Sequence, residues 1–240
     1  MFPVSGSVLS GVEHVFVTQL TPWDLTKYAV TRKGPWPSEL FLLIALAAQA
    51  QVTRWIESGT CWGQSMEMLW RGTADLRELV TIEKDPALEK AIRWRIDAIS
   101  GRGRIRLMVG DGCDAVVTAL DEAPEERTAV FLDGPKSVTA VELALAALQR
   151  PGVQFVAMHD MYPSTLGHAN PGRERLDRLG GWASDDPEWV QRFGYLDAGR
   201  HAEHLAEDGS GWLPWLKIYR GRTEYRRMPC YGPTVGVLLR

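Results

Sequence analysis

The sequence predicts an α/β protein with a Rossmann-like, doubly wound, mostly parallel seven-stranded sheet that carries an antiparallel pair at one edge. Short β-type runs alternate with helical runs from about residue 38 to 158, which is the pattern of a parallel sheet with crossover helices. The connections between these runs are short, as crossover units prefer. Hydrophobic residues make up 45% of the 240 residues, which is enough to bury one sizeable core.

The first element of this core is a helix from Pro37 to Ala50, because Pro suits a first helical turn and apolar residues then recur at helical spacing. Five predicted strands follow, at residues 53–57, 79–83, 104–109, 128–132 and 153–158. The predicted helices between them lie at residues 64–70, 86–99, 113–120 and 138–149. Gly101 and Gly103 end the second of these four helices.

The two ends of the chain are less regular. Residues 1–37 show little periodicity, and we expect them to form an arm or cap on a domain that spans residues 38–240. Gly, Pro, Ser, Asp and Asn are frequent from about 162 to 186, which predicts a long excursion on the substrate side. Two late strands, at 216–219 and 235–239, flank a basic connection and are expected to form the antiparallel edge pair.

Composition and charge disfavour several functional classes, including proteins that act on nucleic acid. The chain has 27 Lys and Arg against 30 Asp and Glu, so its net charge of −3 offers no general attraction for nucleic acid or acidic membranes. No segment approaches the roughly 20 apolar residues of a membrane helix, and the N-terminus does not resemble a signal peptide. Cys61, Cys113 and Cys230 are scattered and odd in number, as free thiols are. We expect a soluble, cytoplasmic protein whose oligomeric state, including a homo-oligomer, stays open.

The candidate ligand site lies at the carboxyl ends of the predicted strands, because ligands of open parallel sheets bind there. After the first strand, Gly59 and Gly63 permit a tight turn and let a ligand approach backbone amides at a helix start. Glu83 follows the second strand, about 20 residues beyond this turn, where an acid can accept hydrogen bonds from a ribose diol. The residues that follow the other three strands include Gly110, Asp111, Gly112, Cys113, Asp133, Lys136, His159 and Asp160.

These motifs, in this order, resemble the class I S-adenosylmethionine-dependent methyltransferases over roughly residues 38–161, and within them the small-molecule O-methyltransferases such as catechol O-methyltransferase. The family motif E-x-G-x-x-x-G-x-S is matched from Glu57 to Ser65, and the motif E-x-x-P is matched from Glu83 to Pro86. The resemblance implies that the first loop holds the methionine part of the cofactor, Glu83 the ribose hydroxyls and Asp111 to Cys113 the adenine. The implied cofactor residues are Glu57, Gly59, Thr60, Gly63, Ser65, Glu83, Asp111, Gly112, Cys113 and Asp133.

The catalytic half of the site is implied by the same resemblance. Asp133 and Lys136 look like the family's F-L-D-x-x-K, whose Asp binds Mg²⁺ and whose Lys is the general base for the acceptor hydroxyl. His159 and Asp160 stand where catechol O-methyltransferase has Asp and Asn, and this pair is also similar to the cephalosporin hydroxylase and rhamnosyl O-methyltransferase-like group. We therefore expect Lys136, His159 and Asp160 to be catalytic, with Lys136 or His159 as the base.

The sequence predicts the identities of the acceptor and the metal less closely than that of the cofactor. The expected reaction is methyl transfer to a hydroxyl of a small molecule, which is a natural product, a sugar or a phenol. Asp133 and Asp160 are the expected ligands of a Mg²⁺ ion or another divalent metal, because Mg²⁺ prefers oxygen ligands, and strand-end acids that only hydrogen-bond the acceptor are the alternative.

Three other functions compete with this interpretation. A nicotinamide-dependent oxidoreductase shares a βαβ unit with glycines and a distal acid, but the spacing of Gly59 and Gly63 does not fit the dinucleotide fingerprint. A protein that kept the fold and lost methyl transfer would act as a binding module. Nucleic-acid or protein methylation is disfavoured because the chain lacks an Asn/Asp-Pro-Pro-Tyr tetrad and strong basic character. The pair His201 and His204 and the arginines from Arg220 to Arg227 are interpreted as solvated surface.

Overall fold

The computed structural model describes residues 3–20, 35–99, 101, 103–163, 169–197 and 234–240. The strands of this part are β1 (Arg54–Ser58), β2 (Glu78–Glu83), β3 (Arg104–Val109), β4 (Thr128–Leu132), β5 (Val153–Met158), β6 (Trp182–Ala183) and β7 (Gly236–Leu239). Its α-helices are α1 (Gly6–Val15), α2 (Pro37–Gln49), α3 (Gln64–Gly72), α4 (Glu89–Ile99), α5 (Gly112–Glu122), α6 (Ser137–Leu148), α7 (Pro171–Arg178) and α8 (Pro187–Phe193).

One seven-stranded sheet has the order β3-β2-β1-β4-β5-β7-β6. The five strands from β3 to β5 are parallel, and Trp55 at the centre of β1 pairs with Leu79 of β2 and Ala129 of β4. β7 is antiparallel to both β5 and β6. The predicted fold class is therefore confirmed, including the antiparallel pair at the edge. The strand order reverses between β1 and β4, which is where open α/β sheets bind ligands.

Helices cover both faces of the sheet, so residues on both faces of the central strands are buried. Adjacent residues of β1 point to opposite faces, so Trp55 joins the core beneath α2 and α3, whereas Ile56 joins the core beneath α5 and α6. β4 repeats this alternation with Phe131 and Val130. All residues of β1 and β4 are buried, so these two strands form a rigid base for the loops that follow them.

The bounds of β3, β4 and β5 are those predicted from the sequence. The predicted helix over 86–99 is divided into a 3₁₀ turn (Pro86–Leu88) and α4. The N-terminal arm contains a regular helix, α1, which the sequence pattern did not reveal because Leu9 is the one residue of this helix that is buried. A π-helical segment (Phe16–Leu20) follows α1, and Phe16 packs edge-on against Phe41 of α2.

The antiparallel edge differs from the expectation in its partner strand. The predicted strand at 216–219 lies outside the described residues, and the described neighbour of β7 is β6, within the excursion. A two-residue strand is too short to show periodicity, so β6 has no signal in the sequence. The excursion returns to the sheet through Arg173 of α7, which donates to the carbonyl oxygen of Met161 at 2.8 Å and pairs with Asp185 at 3.0 Å.

Candidate active site

Two adjoining cavities lie at the carboxyl ends of the parallel strands. The first has a volume of about 300 Å³, the second has a volume of about 340 Å³, and both are lined by Gly59 and Glu83. The first is also lined by Pro35, Thr60, Cys61, Trp62, Gln64, Ser65, Leu88, Asp133 and Lys136. The second is also lined by Ser58, Ile82, Lys84, Gly110, Asp111, Gly112, Cys113, Gly134 and Pro135. Eight of the ten residues implied to bind the cofactor therefore line one cavity or both; Glu57 and Gly63 do not.

The loop between β1 and α3 depends on its glycines. Gly59 has a φ of +91°, and a Cβ atom there would lie 2.9 Å from the carbonyl carbon of Asp133. Gly63 has a φ of +74° and is the N-cap residue of α3, so the loop ends with free helix N–H groups. A side chain at Gly59 would separate the ends of β1 and β4, and the two cavities would no longer adjoin.

Glu83 connects this loop to the end of β2. One of its carboxylate oxygens accepts from the backbone N–H of Cys61 at 2.7 Å, and the other accepts from the N–H of Asp85 at 2.8 Å. Its side chain is nearly buried, yet it lies where the two cavities meet. Each carboxylate oxygen keeps a further lone pair, so Glu83 can hold the loop and still accept from a diol.

Glu57 lies beneath the loop, completely buried. Its carboxyl group contacts the hydroxyl of Ser65 and accepts from the hydroxyl of Thr81 at 2.9 Å, and Thr81 in turn contacts Thr60. Burial raises the pKa of Glu57 to about 7, although both hydroxyls oppose this shift. The residue therefore supports the loop from below through Ser65 and Thr60, which themselves line the first cavity.

We predict that Glu57 makes the stability of the protein depend on pH. Because its folded pKa of about 7 lies above the ordinary value of 4.5, the folded state binds more protons between these values, and the free energy of unfolding falls as pH rises through them. Denaturant unfolding measures the free energy of unfolding at pH 5 and at pH 7.5. From the lower to the higher pH, this free energy should fall by about 2 kcal/mol more in the wild type than in Glu57→Gln. Equal decreases in the two proteins would contradict this role.

A cluster of charged side chains lies beside the first cavity. Asp133 follows β4, His159 and Asp160 follow β5, and Lys136 precedes α6. The Oδ1 atom of Asp133 lies 2.8 Å from Nδ1 of His159 and also contacts Nζ of Lys136. The same Nζ lies 2.6 Å from Oδ2 of Asp160, which has a left-handed backbone with a φ of +61°. The structure thus brings together all three residues expected to be catalytic.

The charges in this cluster stabilise one another against burial. Burial disfavours the ionised form of Asp133, but His159 and Lys136 outweigh it and lower the pKa of that carboxyl. Burial also disfavours both cations, but Asp133 and Asp160 raise the pKa of Lys136, and Asp133 with Glu39 and Asp160 raises that of His159 to about 10. Lys136 and His159 therefore both carry their protons in this arrangement. Lys136 is 44% exposed, so water screens its ion pairs in part.

The residues that the sequence resemblance assigns to adenine form an ordinary helix start. Asp111 is the N-cap residue of α5, and its carboxylate accepts from the N–H of Cys113 at 3.0 Å and from Lys84 at 3.3 Å. Both hydrogen bonds lower the pKa of Asp111, and the one from Cys113 has the larger effect. Gly112 packs so closely on the next loop that a Cβ atom there would lie 2.4 Å from the carbonyl oxygen of Gly134.

Trp62 and Glu39 are among the residues of the site that were not identified from the sequence. Trp62 lines the first cavity and is 44% exposed, and its position between Gly59 and Gly63 was the available signal. Glu39, at the start of α2, is buried with its Oε2 atom 3.7 Å from Nε2 of His159. Nothing in the local sequence around Glu39 indicates this proximity, because the two residues meet only through tertiary packing.

Several sequence-based expectations concern residues outside this site. Cys113 is a free thiol, as expected, and Cys61 takes no part in a disulfide among the described residues, whereas Cys230 lies outside them. His201, His204 and the arginines from Arg220 to Arg227 also lie outside them. In the part of the chain that the structure describes, no helix has the length and hydropathy needed to cross a membrane.

Comparisons with known proteins support the fold. No family model matches the chain, and no curated protein matches it. Among solved structures, an O-methyltransferase from Bacillus cereus in complex with SAH is 17% identical, with a TM-score of 0.50, and the alignment covers 100% of this chain and 94% of that one. The SAH-bound methyltransferase PaMTH1 from Podospora anserina is 16% identical, with a TM-score of 0.50, over 100% of this chain and 98% of that one. Cofactor-bound Rv0187 from MTB is 18% identical, with a TM-score of 0.51, and the alignment covers 75% of this chain and 83% of that one. At these identities the likeness establishes a shared fold, the one that the sequence resemblance implies.

Proposed function

We propose that this protein is an S-adenosylmethionine-dependent O-methyltransferase that acts on a hydroxyl group of a small molecule. The observation that carries the proposal is the pair of cavities that meet at Gly59 and Glu83, with the charged cluster of Asp133 and Lys136 at the wall of the first. A cofactor with a nucleoside half and an amino-acid half fits such a divided site. The similar structures from Bacillus cereus and Podospora anserina, which are described as bound to SAH, support this choice of cofactor.

The two halves of the cofactor have different surroundings. The second cavity, between Asp111 and Glu83, would take the adenosine, with Glu83 accepting from the ribose hydroxyls. The first cavity, along the loop that Gly59 begins, would take the methionine half, close to the N-terminus of α3. This orientation would place the sulfonium methyl group on the side of the charged cluster.

Methyl transfer requires little covalent chemistry from the protein itself. In such a transfer the methyl carbon would leave the sulfonium sulfur as it bonded to the acceptor oxygen in line, and the proton of the hydroxyl would pass to a base. Lys136 lines the first cavity, whereas His159 is 4% exposed and lies behind Asp133, so we assign the contact with the acceptor to Lys136 and keep His159 as the alternative base. Either group would have to lose its own proton to solvent first, and the positive charge of a bound sulfonium would favour this loss.

A divalent cation fits the residue types of this cluster. Asp133, His159 and Asp160 offer ligand atoms that all lie within 4.8 Å of one another, and the two carboxylates are hard oxygen ligands of the kind that Mg²⁺ prefers. Asp133 and Asp160 would hold the ion, which would lower the pKa of an acceptor hydroxyl bound to it. Lys136 contacts the same two carboxylates, so the cation would have to displace it. Calorimetric titration with Mg²⁺ or Mn²⁺ tests this site, and Asp160→Asn should abolish any binding that occurs there.

The first test of the proposed function is calorimetric titration of the purified protein with S-adenosylmethionine and S-adenosylhomocysteine, with and without Mg²⁺. We expect micromolar affinity for both molecules and no response to NAD⁺, which serves as the control. Incubation with S-adenosylmethionine and panels of phenols, sugars and polyketides should then give a product heavier by one methylene unit. Binding of NAD⁺ alone would favour an oxidoreductase. If none of the three molecules bound, a binding module would be favoured.

A further inference from the structure

The imidazole of His159 has one engaged nitrogen and one that lacks a hydrogen-bond partner among the described residues. Nδ1 faces Asp133 at 2.8 Å, whereas Nε2 is buried and has no acceptor within hydrogen-bond distance. The ring packs edge-on against Phe131, with their centroids 6.1 Å apart. Burial of a ring nitrogen without a hydrogen-bond partner costs free energy, so the group that Nε2 faces needs to be identified.

That group is the carboxyl of Glu39, whose Oε2 atom lies 3.7 Å from Nε2. Glu39 is 3% exposed, and its carboxyl is fixed from two other sides. The backbone N–H of Trp36 donates to Oε2 at 2.7 Å, and the hydroxyl of Ser184 donates to Oε1 at 3.5 Å. Ser184 accepts from the N–H of Val235 at 3.0 Å, so the start of α2 and the antiparallel edge of the sheet both hold this carboxyl in place.

We propose that Glu39 is a positioning residue of the site, which accepts a hydrogen bond from Nε2 of His159 and keeps Nδ1 directed at Asp133. This inference rests on the proposed methyl transfer and adds a residue to it. Asp133 also contacts Lys136, so a carboxyl group that orients His159 orients the residue that holds the base. Carboxylates commonly fix the ring orientation and tautomer of a functional histidine in this way.

The competing explanation is that Glu39 only caps α2, because it is the third helical residue and accepts from Trp36. Glu39→Gln does not separate the two roles, because an amide oxygen in the place of Oε2 can serve both Trp36 and His159. Glu39→Ala separates them by what each loss changes. Loss of the cap lowers the stability of the helix and leaves kcat unchanged, whereas loss of the contact with His159 lowers kcat and shifts the ring signals of His159.

The test compares the full-length wild type, Glu39→Ala and Ser38→Ala. Ser38 is the matched control, because its hydroxyl donates to Asp197 at the same helix start without facing His159. If Glu39 positions His159, Glu39→Ala lowers kcat at least about tenfold with little change in KM, whereas Ser38→Ala keeps the wild-type kcat. Wild-type kcat in Glu39→Ala, or an equal loss in both variants, overturns the proposal.

A second readout needs no turnover. In protein labelled with ¹⁵N at histidine, the ring signals of His159 are identified by their loss in His159→Gln. We expect the Nε2 signal of His159 to shift in Glu39→Ala and to keep its wild-type position in Ser38→Ala. An unchanged His159 spectrum overturns the positioning role even if methyl transfer is confirmed. A changed spectrum in a protein that binds no S-adenosylmethionine would support the contact while the proposed function failed.

Discussion

Asp160→Asn is expected to lower kcat by about 100-fold or more while affinity for S-adenosylhomocysteine stays within about twofold of the wild type. Asp160 does not line either cavity, but its carboxylate lies 2.6 Å from Nζ of Lys136, the atom that also contacts Asp133. Removal of this charge frees Lys136 to turn away from the acceptor and also removes one oxygen ligand from the candidate metal site. Steady-state kinetics and calorimetry on the same preparation measure the two effects separately.

Asn is the right replacement because Asp160 has a φ of +61°, which Asn tolerates and Ala does not. The carbonyl oxygen of Asp160 also accepts from the side chain of Asn170 at 2.9 Å, and Asp160→Asn leaves this backbone contact intact. Asp177→Asn is a matched control, since Asp177 is an exposed acid on α7 that pairs with Arg173 away from the cavities. Full activity in Asp160→Asn, or an equal loss in the control, would contradict a catalytic role for Asp160.

Glu83→Ala is expected to weaken binding of S-adenosylhomocysteine about 30-fold to 100-fold, which corresponds to about 2–3 kcal/mol. The substitution removes the acceptor of the Cys61 and Asp85 N–H groups, so the loop between the two cavities loses its anchor to β2. It also removes the acid that would bind the ribose hydroxyls. The loss should therefore appear as reduced cofactor affinity, with kcat at saturating cofactor affected less.

Asp85→Ala provides the control for this experiment. Asp85 follows Glu83 closely and caps the short 3₁₀ turn through the N–H of Ala87, but it lines neither cavity. Its replacement should change the affinity for the cofactor by no more than about twofold. If Glu83→Ala bound the cofactor as tightly as Asp85→Ala does, the assignment of the second cavity to the adenosine half would be wrong.

Predictions from the sequence succeeded where the signal is local. The alternation of β-type and helical runs predicted a mostly parallel sheet with crossover helices, and the central strands β1 and β4 are buried on both faces as such a sheet requires. The ends of these strands showed which residues approach one another, since parallel strands place their carboxyl ends at one edge. Gly59, Glu83 and Asp133 were found in this way, and the structure places all three at the cavities.

Residues whose roles depend on distant partners could not be found in the same way. The sequence resemblance implied cofactor contact for Glu57, whereas the structure buries it between Ser65 and Thr81. Glu39 resembles an ordinary capping residue until α2 packs against the end of β5 and brings it to His159.

The sequence by itself determined the α/β fold, the edge of the sheet that carries the site and the glycine turn, because periodicity and turn geometry are properties of neighbouring residues. Only the tertiary structure decided which charges pair, for two physical reasons. Asp133, Lys136, His159 and Asp160 come from two connections and meet where β4 and β5 end together. The pKa values of Asp133, Lys136 and His159 then follow from the balance between burial and these contacts, which exists only in the folded chain.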